Sequence, residues 1–183
     1  MPQAELGTAL IALARGAIAE RFGLDGRAAA GLEALERPGA TFVTLTQQGR
    51  LRGCIGSLEA HRPLALDVRE NALAAAFRDP RFAPLAAGEF EITRVEVSLL
   101  TAPEPLAFRD EADFMTQLRP GVDGIVFQYG RHRSTFLPQV WESLPDPQQF
   151  MQQLKRKAGL PPNFWHESVT IARYEVTKWK ELA

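Results

Sequence analysis

The chain has 183 residues, 45% hydrophobic and 23% charged, which suits a folded globular domain and excludes collagen-like, disordered and disulfide-framework chains. With 21 basic against 22 acidic residues the net charge is −1, so no global field is available to hold nucleic acid phosphates or anionic lipid. A single cysteine excludes an intramolecular disulfide and cannot by itself build a zinc site.

Leu6, Leu10, Leu13, Ala17 and Phe22 recur at helical spacing and Gly23 stops them, which predicts an amphipathic helix of about five turns. Glu5 and Arg15 interrupt this helix, so a secretory signal is not expected, and no stretch reaches the roughly 18–20 apolar residues of a membrane span. The expectation is a cytoplasmic chain with no membrane partner. Residues 24–37 predict a short helix ended by Pro38-Gly39. A β-branched run at 41–46, a turn at Gln47-Gln48-Gly49-Arg50 and a return over 51–55 predict a hairpin. Pro63 opens an alanine-rich helix over 64–77, ended by Asp79-Pro80-Arg81. Residues 91–100 alternate, with Val95, Val97 and Leu99 on one face and Arg94, Glu96 and Ser98 on the other, as in a half-buried strand.

Further on, Asp110 caps a short helix through Leu118, and residues 122–137 form a second hairpin around Gly130-Arg131. Asp146-Pro147 opens a helix carrying Phe150, Leu154 and Ala158, with Lys155, Arg156 and Lys157 in its last turn and Gly159 after it. Residues 169–179 read as one or two strands. Hairpins followed by helices, rather than regular β-α-β alternation, predict an α+β fold with mainly antiparallel pairing. Strand, Gly49-Arg50, strand, helix in the first half is echoed by strand, Gly130-Arg131, strand, helix in the second.

The segment richest in chemistry is Leu51-Arg52-Gly53-Cys54-Ile55-Gly56. On a strand, Arg52 and Cys54 project from one face, and a guanidinium beside a thiol favours the nucleophilic thiolate. Gly53 and Gly56 remove side chains, which permits close approach of a substrate or of another backbone. The opposite reading is a small buried thiol flanked by packing glycines. His61 follows Cys54 by seven residues and is either a base turned back toward it or a solvated loop residue; His132 and His166 lie in a turn and a loop. None has metal-ligand spacing, so no metal is expected. Asp79-Pro80-Arg81-Phe82 and Glu96 either line a polar cleft or form local surface pairs. The run 155–157 is explained by its place at a helix C-terminus, without nucleic acid. No P-loop, dinucleotide-binding or nucleophile-elbow motif is present.

The hexapeptide 51–56 resembles the signature of the AMMECR-one family, whose prokaryotic members are called AmmeMemoRadiSam system protein A. Phe42-Val43-Thr44, Asp79 with Arg81-Phe82 and Pro84-Leu85, Glu96-Val97-Ser98-Leu99, and Gly121 with Asp123-Gly124-Ile125 follow in the family's order. So do Leu137-Pro138-Gln139-Val140 and Lys157-Ala158-Gly159-Leu160 with Trp165, whereas 141–145 departs from the pattern. The resemblance implies one AMMECR-type domain over residues 1–183, or two intertwined subdomains. It implies an α+β fold with a barrel-like, mainly antiparallel sheet from two similar halves, flanked by helices. It also implies a shared pathway with a Memo-type protein and a radical S-adenosylmethionine protein, and it names no cofactor or reaction.

Two functional readings follow. In the first, an enzyme or enzyme component has Cys54 as nucleophile or redox thiol, Arg52 as its charge partner or anion anchor, and Gly53 and Gly56 as backbone clearance. Glu96, Asp79 and Arg81 join this cleft through the family resemblance, Glu96 as a catalytic and the others as binding candidates. In the alternative, the same motif is a recognition surface for a protein or small ligand, and the thiol is dispensable.

Overall fold

The computed structural model describes residues 3–26 and 33–181. Helix α1 (Gln3–Arg21) buries the predicted Leu10, Leu13 and Ala17, and burial extends round it to Gly7, Ala14 and Ile18. Gly7 is required there because the Trp179 ring lies against it; a Cβ would come 2.2 Å from Cδ1 of the indole. Of the short helix expected over 24–37, residues 24–26 are not helical, residues 27–32 lie outside the described residues, and α2 (Glu33–Glu36) is a single turn.

Strands β1 (Pro38–Gln47) and β2 (Arg50–Gly56) form the first hairpin. Its two turn residues, Gln48 (φ 49°) and Gly49 (φ 75°), are both left-handed, the type I′ turn whose twist suits paired strands. A short β3 (Arg62–Pro63) pairs with the start of β1, and α3 (Leu64–Phe77) follows with the bounds predicted. Next, β4 (Thr93–Leu100) pairs antiparallel with β1, with Val95 and Val97 buried and Arg94 exposed, as the alternation requires.

Beyond Leu100 come β5 (Glu104–Pro105) and α4 (Glu111–Gln117), the latter capped by Asp110, whose side chain accepts the Asp113 N–H at 2.8 Å. Strands β6 (Gly124–Tyr129) and β7 (His132–Phe136) form the second hairpin, and α5 (Pro147–Lys157) begins at Asp146, which accepts the Gln149 N–H at 2.8 Å. Gly159, at φ 83°, ends that helix as predicted. The tail forms both strands, β8 (Thr170–Tyr174) and β9 (Val176–Lys180).

The chain divides into two compact units. The first runs up to Leu100 and takes back the tail from Thr177. Its sheet has the order β2-β1-β4-β9, and α1 and α3 cover one face around Leu10, Ile18, Val43, Leu45, Val68, Val95 and Val97. Burying each such side chain contributes about 1.5–3 kcal/mol, and together these make the core of the unit. The second unit, Thr101–Val176, has the sheet β5-β8-β6-β7 and a core of Phe114, Ile125, Phe127, Phe150 and Leu154, with Trp141 stacked on Phe150 at 3.8 Å.

The fold is α+β with antiparallel hairpins flanked by helices, and its two sheets are open. The halves share one plan. In each, the hairpin's second strand is the edge, its first strand is internal, and the strand after the following helix pairs with that internal strand. The echoed dipeptides themselves are not equivalent: Gly49 is the second turn residue, whereas Gly130 (φ 56°) is the first.

Candidate functional site

Cys54 lies on β2, the edge strand of the first sheet. Counting back from the turn would set Thr44 of β1 opposite Gly53. A β-bulge shifts the register between Leu45 and Thr46, leaves Arg52 as the extra residue, and sets Thr44 opposite Cys54. Thr44 is also opposite Glu96 of β4. Cys54, Thr44 and Glu96 therefore form one row across three strands, on the face away from the helices. Within the row the Thr44 hydroxyl is 3.3 Å from the Cys54 sulfur. Cys54 is half-buried, neither a core residue nor fully exposed.

The glycines beside it are packing positions. A Cβ on Gly53 would lie 2.1 Å from the Ala75 carbonyl oxygen, so this residue lets β2 lie directly on the backbone of α3. A Cβ on Gly56 would lie 2.2 Å from the Phe42 ring. Of the two uses expected for these glycines, close approach of another part of the chain is the one observed.

The segment after α3 wraps the outer edge of β2. Asp79, buried, accepts the Cys54 N–H at 2.9 Å, and Arg81 donates to the Cys54 carbonyl at 3.2 Å. The two side chains bind each other at 2.7 Å, so an ion pair takes the place of a neighbouring strand along an edge that would otherwise be unpaired. The Arg81 guanidinium and the N–H groups of Cys54 and Arg81 hold the Asp79 carboxyl far below the usual carboxylate range. Asp79, with Cys54 adding to it, raises Arg81 in turn.

Arg52 does not direct its charge at the thiol. Its Nε and Nη2 bind the two carboxylate oxygens of Glu89 at 2.9 and 3.0 Å, and Nη1 binds the Ala83 carbonyl at 3.0 Å. This guanidinium, with the Ala86 N–H and the Gln47 amide, lowers the Glu89 carboxyl to about 2. Phe82 lies within reach of both guanidinium groups, 5.9 Å from that of Arg52 and 5.6 Å from that of Arg81. Glu96, its side chain 17% exposed, meets Lys180 at 2.9 Å and Lys178 at 3.9 Å.

The histidines are placed elsewhere. His61 is 73% exposed beside Glu59, the solvated loop alternative, while His132 bonds the Ala158 carbonyl and His166 accepts the Ser168 N–H. Among the described residues no three His, Cys, Asp or Glu side chains converge as a metal site. The basic run 155–157 is not uniformly a solvated helix end: Lys155 is 2% exposed, pairs with Glu111 and lies over the Trp165 ring. A periodicity argument reads its place on the helix but not the carboxylate that reaches it from α4.

A family model described as AMMECR1 matches residues 11–179. The chain belongs to the AMMECR1 family. A protein of Methanothermobacter thermautotrophicus is 40% identical over 146 residues, covering 76% of this chain and 74% of its own length. One from Saccharolobus islandicus is 38% identical over 186 residues, covering 97% and 82%. The crystal structure of an uncharacterized protein from Pyrococcus horikoshii superposes with a TM-score of 0.79 at 31% identity, over 94% of this chain and 89% of that one. Within this AMMECR1 fold, Thr44, Glu89, Lys178 and Lys180 join the neighbourhood without having been singled out as site residues. Thr44 was open to discovery as a polar residue alternating with Val43 and Leu45, although its partner depends on the bulge. No sequence signal pointed to Glu89, which arrives from a loop.

Proposed function

We propose that this AMMECR1 chain is an enzyme, or a component of one, whose reacting group is the Cys54 thiol. The observation that carries the reading is the row Cys54-Thr44-Glu96: a half-buried cysteine on a clamped strand, with the Thr44 hydroxyl 3.3 Å from its sulfur and Glu96 paired opposite Thr44 on the next strand. Nucleophilic addition suits this arrangement better than dithiol redox chemistry, because the chain has one cysteine and so no second thiol to form an internal disulfide. The sulfur attacks an electrophilic carbonyl carbon, an S–C bond forms, and the C=O electron pair moves onto oxygen. The thiol proton leaves through the Thr44 hydroxyl toward Glu96. Asp79 and Arg81 fix the backbone that carries the sulfur, while Arg52, held by Glu89, and the glycines 53 and 56 fix the strand around it.

The family's association with a Memo-type and a radical S-adenosylmethionine protein supports a place in a shared pathway in the cytoplasm. Complementation of a strain lacking the gene tests the catalytic reading. Cys54→Ser and Glu96→Gln are expected to fail while the proteins accumulate normally. Full rescue by Cys54→Ser, with loss on Arg52→Ala, would replace it with a non-catalytic binding module.

A further inference from the structure

Helix α1 lines a hollow with one stripe of its surface. Ala12, Gly16 and Ala19 follow one another there at helical spacing, and their short or missing side chains leave room for a depression of about 550 Å³. That size falls within the about 300–1,000 Å³ of small-molecule sites. Ile11 and Leu24 give it apolar walls, and the Leu24 side chain is 49% exposed. All the lining residues belong to the first unit, and none belongs to the Cys54 row, which lies on the face of the sheet away from α1.

Four charged side chains line the hollow: Arg15, Asp25, Glu91 and Glu181. Arg15 is already engaged within the chain. It pairs with Glu181 at 3.2 Å, donates to the Thr93 and Phe90 carbonyls at 2.8 and 3.2 Å, and lies over the Phe90 ring at 4.3 Å. Asp25 and Glu91 have no cationic partner among the described residues. Nearby Arg94 donates to the Glu91 and Thr93 backbone carbonyls and does not line the hollow. An entering anion therefore meets two unmatched carboxylates and an arginine already neutralised, whereas a cation meets charge that it can match.

We infer that this hollow binds a small organic cation, an ammonium group carried on an apolar body. Asp25 and Glu91 meet the charge, and the wall of Ile11, Ala12, Gly16, Ala19 and Leu24 takes the body. Neither Cys54 nor its row takes part, so this site stands or falls apart from the thiol.

Tryptamine tests this on the full chain, beside two compounds of closely similar shape: indole-3-ethanol, which is neutral, and indole-3-propionate, which is anionic. Backbone amide shifts followed by NMR at low salt read both the affinity and the place. Tryptamine is expected to bind with a Kd of about 0.1–1 mM, about tenfold tighter than the alcohol, and the propionate more weakly than either. The shifts should centre on Ala12, Gly16, Ala19 and Leu24. Asp25→Asn and Glu91→Gln change exposed carboxylates, and each should weaken tryptamine about two- to fivefold while leaving the alcohol unchanged. Salt at about 0.5 M should remove most of the preference for the cation. Equal binding of the three compounds, or tighter binding of the propionate, would overturn the assignment. So would shifts centred away from α1, or no saturable shift with tryptamine up to about 10 mM.

Discussion

The Asp79 carboxylate accepts the backbone N–H of Cys54 at 2.9 Å, across 25 residues of sequence. With Arg81 on the carbonyl of the same residue, the contact closes both backbone groups of Cys54 at the outer edge of the sheet. A carboxylate and a guanidinium can do what a strand does here because one only accepts and the other only donates. Asp79→Ala leaves the Cys54 N–H without this acceptor and is expected to cost about 2 kcal/mol in urea unfolding. Arg81→Ala strands a carboxylate whose side chain is 1% exposed and should cost at least as much. A double-mutant cycle smaller than either single effect's error would show that the two side chains act independently.

Acid should loosen this edge. Asp79 and Glu89 are both lowered on folding from ordinary values of 3.8 and 4.5, Glu89 to about 2. Lowered carboxylates stabilise the fold above their unfolded values, and that contribution is lost as pH falls through the folded ones. Stability is therefore expected to be level above about pH 5 and to decline from about pH 4.5 toward pH 2. Glu89→Gln should flatten that decline; an unchanged slope would mean that the Arg52 pair does not persist in solution.

Gly53→Ala drives a Cβ to within 2.1 Å of the Ala75 carbonyl, a backbone atom that cannot rotate away. About 3 kcal/mol of destabilisation is expected. Gly49→Ala, where only the φ of 75° objects and the space is open, should cost about 1 kcal/mol. Chemical denaturation of the two variants side by side checks the order. A reversed order would mean that β2 does not lie on α3.

The second unit offers an asymmetry. Lys155 is buried and paired with Glu111, whose side chain is 39% exposed. Glu111→Ala leaves a buried ammonium group and is expected to cost about 3 kcal/mol, whereas Lys155→Met, of similar length, should be near neutral. A loss on Lys155→Met as large as that on Glu111→Ala would contradict this asymmetry.

Much of this architecture was legible in the residues. The helix at 64–77 follows from its alanine-rich apolar run after Pro63, the strand read over 91–100 and observed over 93–100 follows from alternation, and both helix caps follow from Asp110 and Asp146. The hexapeptide was identifiable because an arginine, a thiol and two glycines in six residues are hard to explain as ordinary strand. The assembly around it was less legible. The bulge at Arg52 changes which residue faces Cys54, and a bulge has no marker here beyond a glycine. Glu89, Lys178 and Lys180 reach the neighbourhood across 35 or more residues through sheet order and a loop, relations that local spacing does not encode.

The most direct test of the thiol account uses the fact that the chain has one cysteine. Native protein is treated with iodoacetamide from about pH 5 to about pH 10, followed by intact mass, with the urea-unfolded chain as reference and Cys54→Ser as the blank. The account predicts labelling in the folded state, slowed severalfold by Thr44→Val and restored by Thr44→Ser. Labelling that begins only when the chain unfolds would contradict it.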